Sequence, residues 1–320
     1  MQYPSRKKAP VQAVRSRFTG SDKTTGVLLV IGSCISLQIG AAFAVQLFPQ
    51  LGAWGVTNLR LGVAALVICA LTRPRFWAWN LPQWIAVALL GTSFAFMNGA
   101  FYHAIELLPL GLAVSVEFIG PLVLAAVLSR RLIDGLWIGL ATIGMALIGV
   151  EKAFGAEHIS TLGLAFALVA GFFWACYILA SSRVGRLIDG AGGLGAALVI
   201  ATLITLPFGG AGAAQAFADP GILALAVGTG LLSSVVPYTF ELAALRRLPN
   251  NVFSILLSLE PGIAAIGGWL LLSQDTGALR WTAILLLTVA SMGITVTSRP
   301  QRAAGEPAPV TSTIAQVDAP

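Results

Sequence analysis

Charge is scarce in this chain. Asp, Glu, Lys and Arg make up 10% of its 320 residues, where soluble domains carry roughly 25%. Metal and redox chemistry find little to work with. Cys34, Cys69 and Cys176 stand alone within apolar stretches, with no C-x-x-C pair and no Cys/His cluster, so packing accounts for them and neither a disulfide nor a metal site is expected. The two histidines, His103 and His158, lack partners at ligand spacing. The glycine-rich run 190–195 is not followed by the Lys-Ser/Thr of a phosphate-binding loop, which argues against ATP hydrolysis. No nucleophile–base–orienter set is visible. The expectation is a protein that is not an enzyme and needs no cofactor.

What the chain does have is apolar length. Hydrophobic residues make up 57% of it, and its mean hydropathy is +0.86. Runs long enough to cross a bilayer recur throughout. Ten membrane helices are predicted, near 25–46, 53–72, 83–104, 110–129, 134–151, 160–181, 191–210, 219–245, 250–272 and 278–297. They are called spans 1 to 10 below. Residues 1–23 form a polar, basic tail and 298–320 a tail rich in Pro, Ala and Thr, both expected to be disordered. The basic start, apolar run and Ala42-Phe43-Ala44 mimic a secretory signal. The run is long, however, and leads straight into further apolar segments, so an uncleaved first helix is expected.

The sequence pI is 9.7, yet the basic residues lie in short loops and tails, so topology explains them better than a nucleic-acid partner does. Of the 19 Lys and Arg residues, sixteen fall on one side of the ten-span pattern. They are the six of the N-terminal tail, the pairs Arg73/Arg75, Arg130/Arg131, Arg183/Arg186 and Arg246/Arg247, and Arg299 with Arg302. The other side holds Lys152 and Arg280, and Arg60 lies within a span. The positive-inside rule then puts both termini in the cytoplasm.

The chain also repeats. Leu108-Pro109 matches Leu248-Pro249, Pro121 matches Pro261, and Ala125 matches Ala265, all at an offset of 140. The predicted fold is an all-α membrane protein of two five-helix repeats, 24–151 and 159–297. Five is odd, so the second repeat enters the membrane inverted. That arrangement puts a substrate site near the midplane between halves that rock.

Ionisable residues inside the membrane are functional candidates by default. They are Arg60, Glu117, Glu241 and Glu260; Glu106 lies near a span end and can reach water. Pro121 frees the carbonyl of Glu117 four residues back, so carboxyl and carbonyl sit together at one kink. Either they receive an amine or a proton, or Glu117 is hydrogen-bonded between helices. Glu260 precedes Pro261, which biases its backbone away from helix; it could serve the substrate path or hold a broken helix. Ser234, Tyr238 and Glu241 share a helical face beside Pro237, as cavity lining or as interhelical glue, and Glu241 could gate near Arg246/Arg247. Arg60 needs a partner, either a protein carboxylate or the carboxylate of a substrate. Phe96 and His103 on one face, and Trp174 and Tyr177 on another, are candidates for lining a cavity or for packing. Gly135-xxx-Gly139, and the face of Gly32, Ser36 and Gly40, permit close packing within the protein or in a homodimer.

These residues resemble a known family. Leu47-Phe48-Pro49, Gly55-Val56-Thr57, Leu59-Arg60-Leu61, Pro109-Leu110-Gly111, Val116-Glu117-Phe118, Gly120-Pro121-Leu122, Pro237-Tyr238 with Glu241, and Leu259-Glu260-Pro261 look like the EamA branch of the drug/metabolite transporter superfamily. Within it they are most similar to the bacterial inner-membrane threonine/homoserine exporters. The resemblance covers roughly 25–297, and the run 117–121 followed by Ser129-Arg130-Arg131 is its more specific part. It departs at Val45, where the family often has Lys, and at Gln274, where an acidic residue is common; the second position reads as peripheral. The resemblance implies an inner-membrane exporter of small amino acids working by alternating access, with the bilayer and a small-molecule substrate as partners. Efflux of drugs or amino-acid analogues is the alternative, ahead of a membrane scaffold or an intramembrane enzyme.

Overall fold

A backbone in hydrocarbon must satisfy its own N–H and C=O groups, and a helix does so within one segment. A computed structural model of the protein describes residues 20–129, 132–153, 159–188, 192–245, 247–248, 250–274 and 277–297, and among them every regular element is helical. In order these are α1 (Gly20–Thr72), α2 (Leu81–Leu107), α3 (Leu110–Glu117), α4 (Ile119–Ser129), α5 (Leu132–Ala153), α6 (Thr161–Leu187), α7 (Gly192–Gln215), α8 (Pro220–Gly230), α9 (Val236–Leu245), α10 (Asn250–Leu257), α11 (Glu260–Leu272) and α12 (Ala278–Thr297). A π-helical turn, Leu231–Val235, joins α8 to α9. Seven helical segments among the described residues are long and apolar enough to cross a membrane. The protein is a multi-pass membrane protein. Residues 1–19 and 298–320, Arg130, Arg131, His158, Arg246 and Pro249 lie outside the described residues.

Local chemistry sets the helix ends. Asn80 accepts from the Gln83 amide while the Gln83 side chain accepts from the Asn80 amide, a reciprocal cap with proline just behind it. Ser160 caps α6 through Gly163, and Asp219 caps α8 through Gly221 and Ile222.

Spans 1 and 2 are joined differently from the prediction. Helix runs on through residues 47–51 and breaks only at Gly52, whose φ of 66° needs the freedom of glycine. The two legs of α1 fold back on each other from there, because Ser36 and Gly40 of the first and Arg60 and Val63 of the second all meet the same segment, 230–234. The first helix also starts at Gly20, inside the predicted tail. Spans 4 and 9 are each two helices. Span 4 breaks between Glu117 and Ile119 and span 9 between Leu257 and Glu260, just ahead of Pro121 and Pro261.

The buried apolar side chains form three cores. The largest joins Leu47, Phe48 and Val56 to Tyr102, Leu110, Leu112, Ala226, Ala264 and Leu287. It ties together elements from both halves of the chain. At the opposite end the core is divided. One part packs Ile68, Val87, Val184 and Leu198, and the other packs Val30, Cys34, Ala244, Leu248 and Phe253. A bundle fused at one end and split at the other leaves room between the separated parts.

Small residues set the close crossings. Gly40 lies against the Leu232–Ser233 backbone, Gly55 against Gly212 and Gly111 against Ala265. Gly135 and Gly139 have nothing within 4 Å of where a side chain would start, so that face of α5 is open.

Candidate functional site: a cavity at the broken helices

Each proline in these helices withholds one N–H and so leaves a carbonyl free. At Pro237 the consequence is specific. Its missing donor would serve the Ser233 carbonyl in an α turn or the Leu232 carbonyl in a π turn. The structure gives both carbonyls to α1: Ser36 Oγ donates to Leu232 O at 2.8 Å, and Arg60 Nη2 donates to Ser233 O at 2.8 Å. Arg60 Nε also donates to Ser234 Oγ at 3.1 Å, and the guanidinium sits 5.3 Å from the centre of the Tyr102 ring. Arg60 is 7% exposed. No carboxylate lies within ion-pair distance of it among the described residues. The expected protein counter-ion is therefore replaced by carbonyl, hydroxyl and aromatic face.

A cavity of about 510 Å³ opens beside this arrangement, within the range of roughly 300–1,000 Å³ typical of small-molecule sites. Arg60, Glu117, Tyr238, Glu241 and Glu260 all line it, with Pro121 and Pro237. The charges of Glu260 and Arg60 act on Glu117, and those of Glu241 and Arg60 act on Glu260. Glu241 accepts from Ser33 Oγ at 2.8 Å, while Arg247 donates to the Ala243 carbonyl, so these two are not paired. Ser234 takes part through Arg60. Pro261 is buried at the start of α11 behind Glu260.

The aromatic candidates divide. Trp174 and Tyr177 line the cavity, Trp174 edge-on to Phe118 at 4.6 Å and Tyr177 against Phe94 at 4.9 Å. Phe96 and His103 are not brought into it. Phe96 stacks on Phe173, and His103 Nδ1 pairs with the Gly99 carbonyl while its ring meets Trp54 and Phe166. The face of α2 turned to the cavity carries Phe94, Met97, Asn98, Phe101 and Tyr102 instead. Trp54 fills the notch at Gly99 and covers the other face.

The carbonyl freed by Pro121 is not in the cavity. Glu117 O abuts the α carbon of Gly171, where an added Cβ would lie 2.5 Å from it. Gly120 likewise meets the Gly171 carbonyl. The break in span 4 is thus seated against a bare stretch of α6 by backbone contact.

Sequence reasoning passed over Gln38 and Asn98, both buried cavity residues. An amide inside an apolar span was the available signal. It also read Gln274 as peripheral. Gln274 Oε1 accepts from the Leu110 amide at 2.9 Å and so caps α3 from the far end of α11. Val45 packs against the largest core.

The comparisons with known proteins agree with this architecture. Residues 161–296 match the model of the EamA-like transporter family. The threonine/homoserine exporter RhtA of Salmonella typhimurium is 36% identical over 273 residues, covering 85% of this chain and 92% of the relative. The chain belongs to the EamA-like transporter family. RhtA of Escherichia coli K12 stands at the same identity and coverage within that family. A solved crystal structure is similar in fold, with a TM-score of 0.55 over 86% of this chain and 98% of its own, at 16% identity. Membership of a transporter family agrees with the absence of an enzymatic constellation.

Proposed function

We propose that this protein exports small amino acids, threonine and homoserine among them, across the bacterial inner membrane by alternating access. The observation that carries the reading is the cavity bounded by both broken helices, into whose largely apolar wall three carboxylates and one arginine are set. It lies in a chain 36% identical to exporters named for threonine and homoserine. In this reading Glu117 receives the substrate ammonium or a coupling proton. Glu260 lies beside it, and Tyr238 and Glu241 form the path toward the split end.

Ten spans in two inverted repeats belong to the same reading. Support comes from the packing, which maps onto itself when spans five apart are exchanged. α2 packs on α6, and correspondingly α1 packs on the α8–α9 unit; α3 and α4 pack on α6, and α10 and α11 on α1. α1 with α7, α3 with α11 and α5 with α12 map onto themselves. The breaks after Glu117 and Leu257 are also 140 residues apart. Arg73, Arg75, Arg183, Arg186 and Arg247 stand at the helix ends beside the two divided cores, which favours a cytoplasmic split end and cytoplasmic termini. The cavity then faces the compartment from which an exporter loads.

The test is efflux of labelled threonine or homoserine from cells lacking their own exporters, with membrane levels matched. The intact chain is expected to release label and Glu117→Gln to lose most of that flux. No efflux from the intact chain would overturn the cargo assignment. Phe94, Phe118 and Trp174 along the wall favour amphiphilic drugs as the second reading, which drug resistance in producing cells would support.

A further inference from the structure

We infer that Arg60 and Tyr102 form a subsite for the carboxylate of the cargo, so that the protein requires a free carboxylate in what it carries. The inference rests on the amino-acid reading above and gives its substrate a direction in the cavity.

The argument starts from donors left over. A guanidinium has five N–H groups in a planar fork. Arg60 uses one on Nε and one on Nη2, toward Ser234 and Ser233, and both partners lie on the turn between α8 and α9. These contacts fix the plane of the fork but supply no negative charge. The charge is nevertheless inside an apolar bundle, where a cation without an anion is costly.

Tyr102 lies under this guanidinium, its ring fully buried against Phe48 and Phe101. Its hydroxyl has no hydrogen-bond partner in the protein. The Nε2 of Gln38, a 3% exposed side chain lining the same cavity, is likewise unpartnered. A buried donor without an acceptor is a standing cost that phenylalanine at 102 or leucine at 38 would avoid. Around Arg60 donors are therefore in surplus and acceptors in deficit. On the wall of the same cavity Glu117 and Glu260 supply acceptors without donors.

One ligand class answers both imbalances. A zwitterionic amino acid carries a two-oxygen anion that suits the Arg fork and, on the next carbon, an ammonium with three donors. Its carboxylate would lie toward Arg60 and Tyr102, and its ammonium toward Glu117. Tyr102 then contributes to recognition of the carboxylate and not to the protein's own stability.

The experiment is equilibrium binding to the purified full chain in lipid nanodiscs, with L-threonine and with L-threoninol, which has a hydroxymethyl group in place of the carboxylate. The intact protein is expected to bind threoninol at least about a hundredfold more weakly than threonine. Tyr102→Phe should weaken threonine roughly tenfold, leave threoninol unchanged, and leave thermal stability equal or higher, since no protein hydrogen bond is lost. Arg60→Lys, which keeps the charge and loses the fork, should weaken threonine as well. Equal binding of the two ligands by the intact protein would overturn the proposal. So would a Tyr102→Phe effect that is nil, or the same for both ligands. If threonine binds and only the Tyr102→Phe or threoninol result fails, the subsite falls and the export reading stands. If the intact protein binds neither threonine nor homoserine, both fall.

Discussion

Gly171 is an exacting contact to perturb, because what it touches is backbone. A methyl group on its α carbon would stand 2.5 Å from the Glu117 carbonyl oxygen, whereas carbon and oxygen in comfortable contact are about 3.3–3.6 Å apart. Helix α3 or α6 must therefore retreat by about 1 Å, and no flexible side chain can absorb the movement. Overpacking of a tight site costs about 1–3 kcal/mol, a factor of roughly 5 to 150 in an equilibrium. The same shift moves the Glu117 carboxyl. Gly171→Ala should lower the melting temperature of the purified protein in detergent and reduce threonine efflux per molecule in the membrane. Gly135→Ala is the matched control, since nothing lies within 4 Å of that position; it should leave both quantities unchanged or slightly raise stability. Equal melting temperatures for Gly171→Ala and the parent would refute the reasoning, because the break at Glu117 would then not be seated on Gly171.

Two further substitutions probe the other contacts. Pro237→Ala restores an N–H that competes for the Leu232 and Ser233 carbonyls now held by Ser36 and Arg60; efflux should fall with membrane level preserved, and parental efflux would count against a role for the freed carbonyls. Gln274→Leu removes the acceptor at the Leu110 amide and should cost about 0.5–2 kcal/mol in detergent unfolding, whereas Gln274→Glu keeps an acceptor at a helix N-terminus and should retain stability.

Much of this architecture was legible in the chain. Hydropathy marked the chain as helical and membrane-spanning, and the prolines at 121 and 261 marked segments that break. The rule that ionisable side chains inside a membrane are candidates picked out Arg60, Glu117, Glu241 and Glu260, and all four line one cavity. The missing part is rotation and partnership. On α2 the cavity face is the one through Phe94, Asn98 and Tyr102, on nearly the opposite side of the helix from the predicted face through Phe96 and His103. Both faces carry aromatics, and only packing of Trp54 into the notch at Gly99 distinguishes them. Partnership across distance was equally hidden. Gln274 caps a helix 164 residues earlier, and no local pattern encodes that. The proline rule was applied at Pro121, where the freed carbonyl turns toward α6. Applied at Pro237 it would have anticipated a donor from elsewhere, though not that Arg60 supplies it.

The π-helical turn Leu231–Val235 has a consequence for sequence length. Each residue of an α-helix advances the chain by about 100° around its axis. On one side of the turn Gly230 fits against Val63; on the other Glu241 meets Ser33. Removing a single residue between 231 and 235 would wind the turn back to α and rotate α9 against α8. One of those two contacts would have to let go. Such a deletion would scarcely alter hydropathy, charge or predicted spans. The molecule would register it as a dial turned by one position, with Tyr238 and Glu241 aimed at a different neighbour.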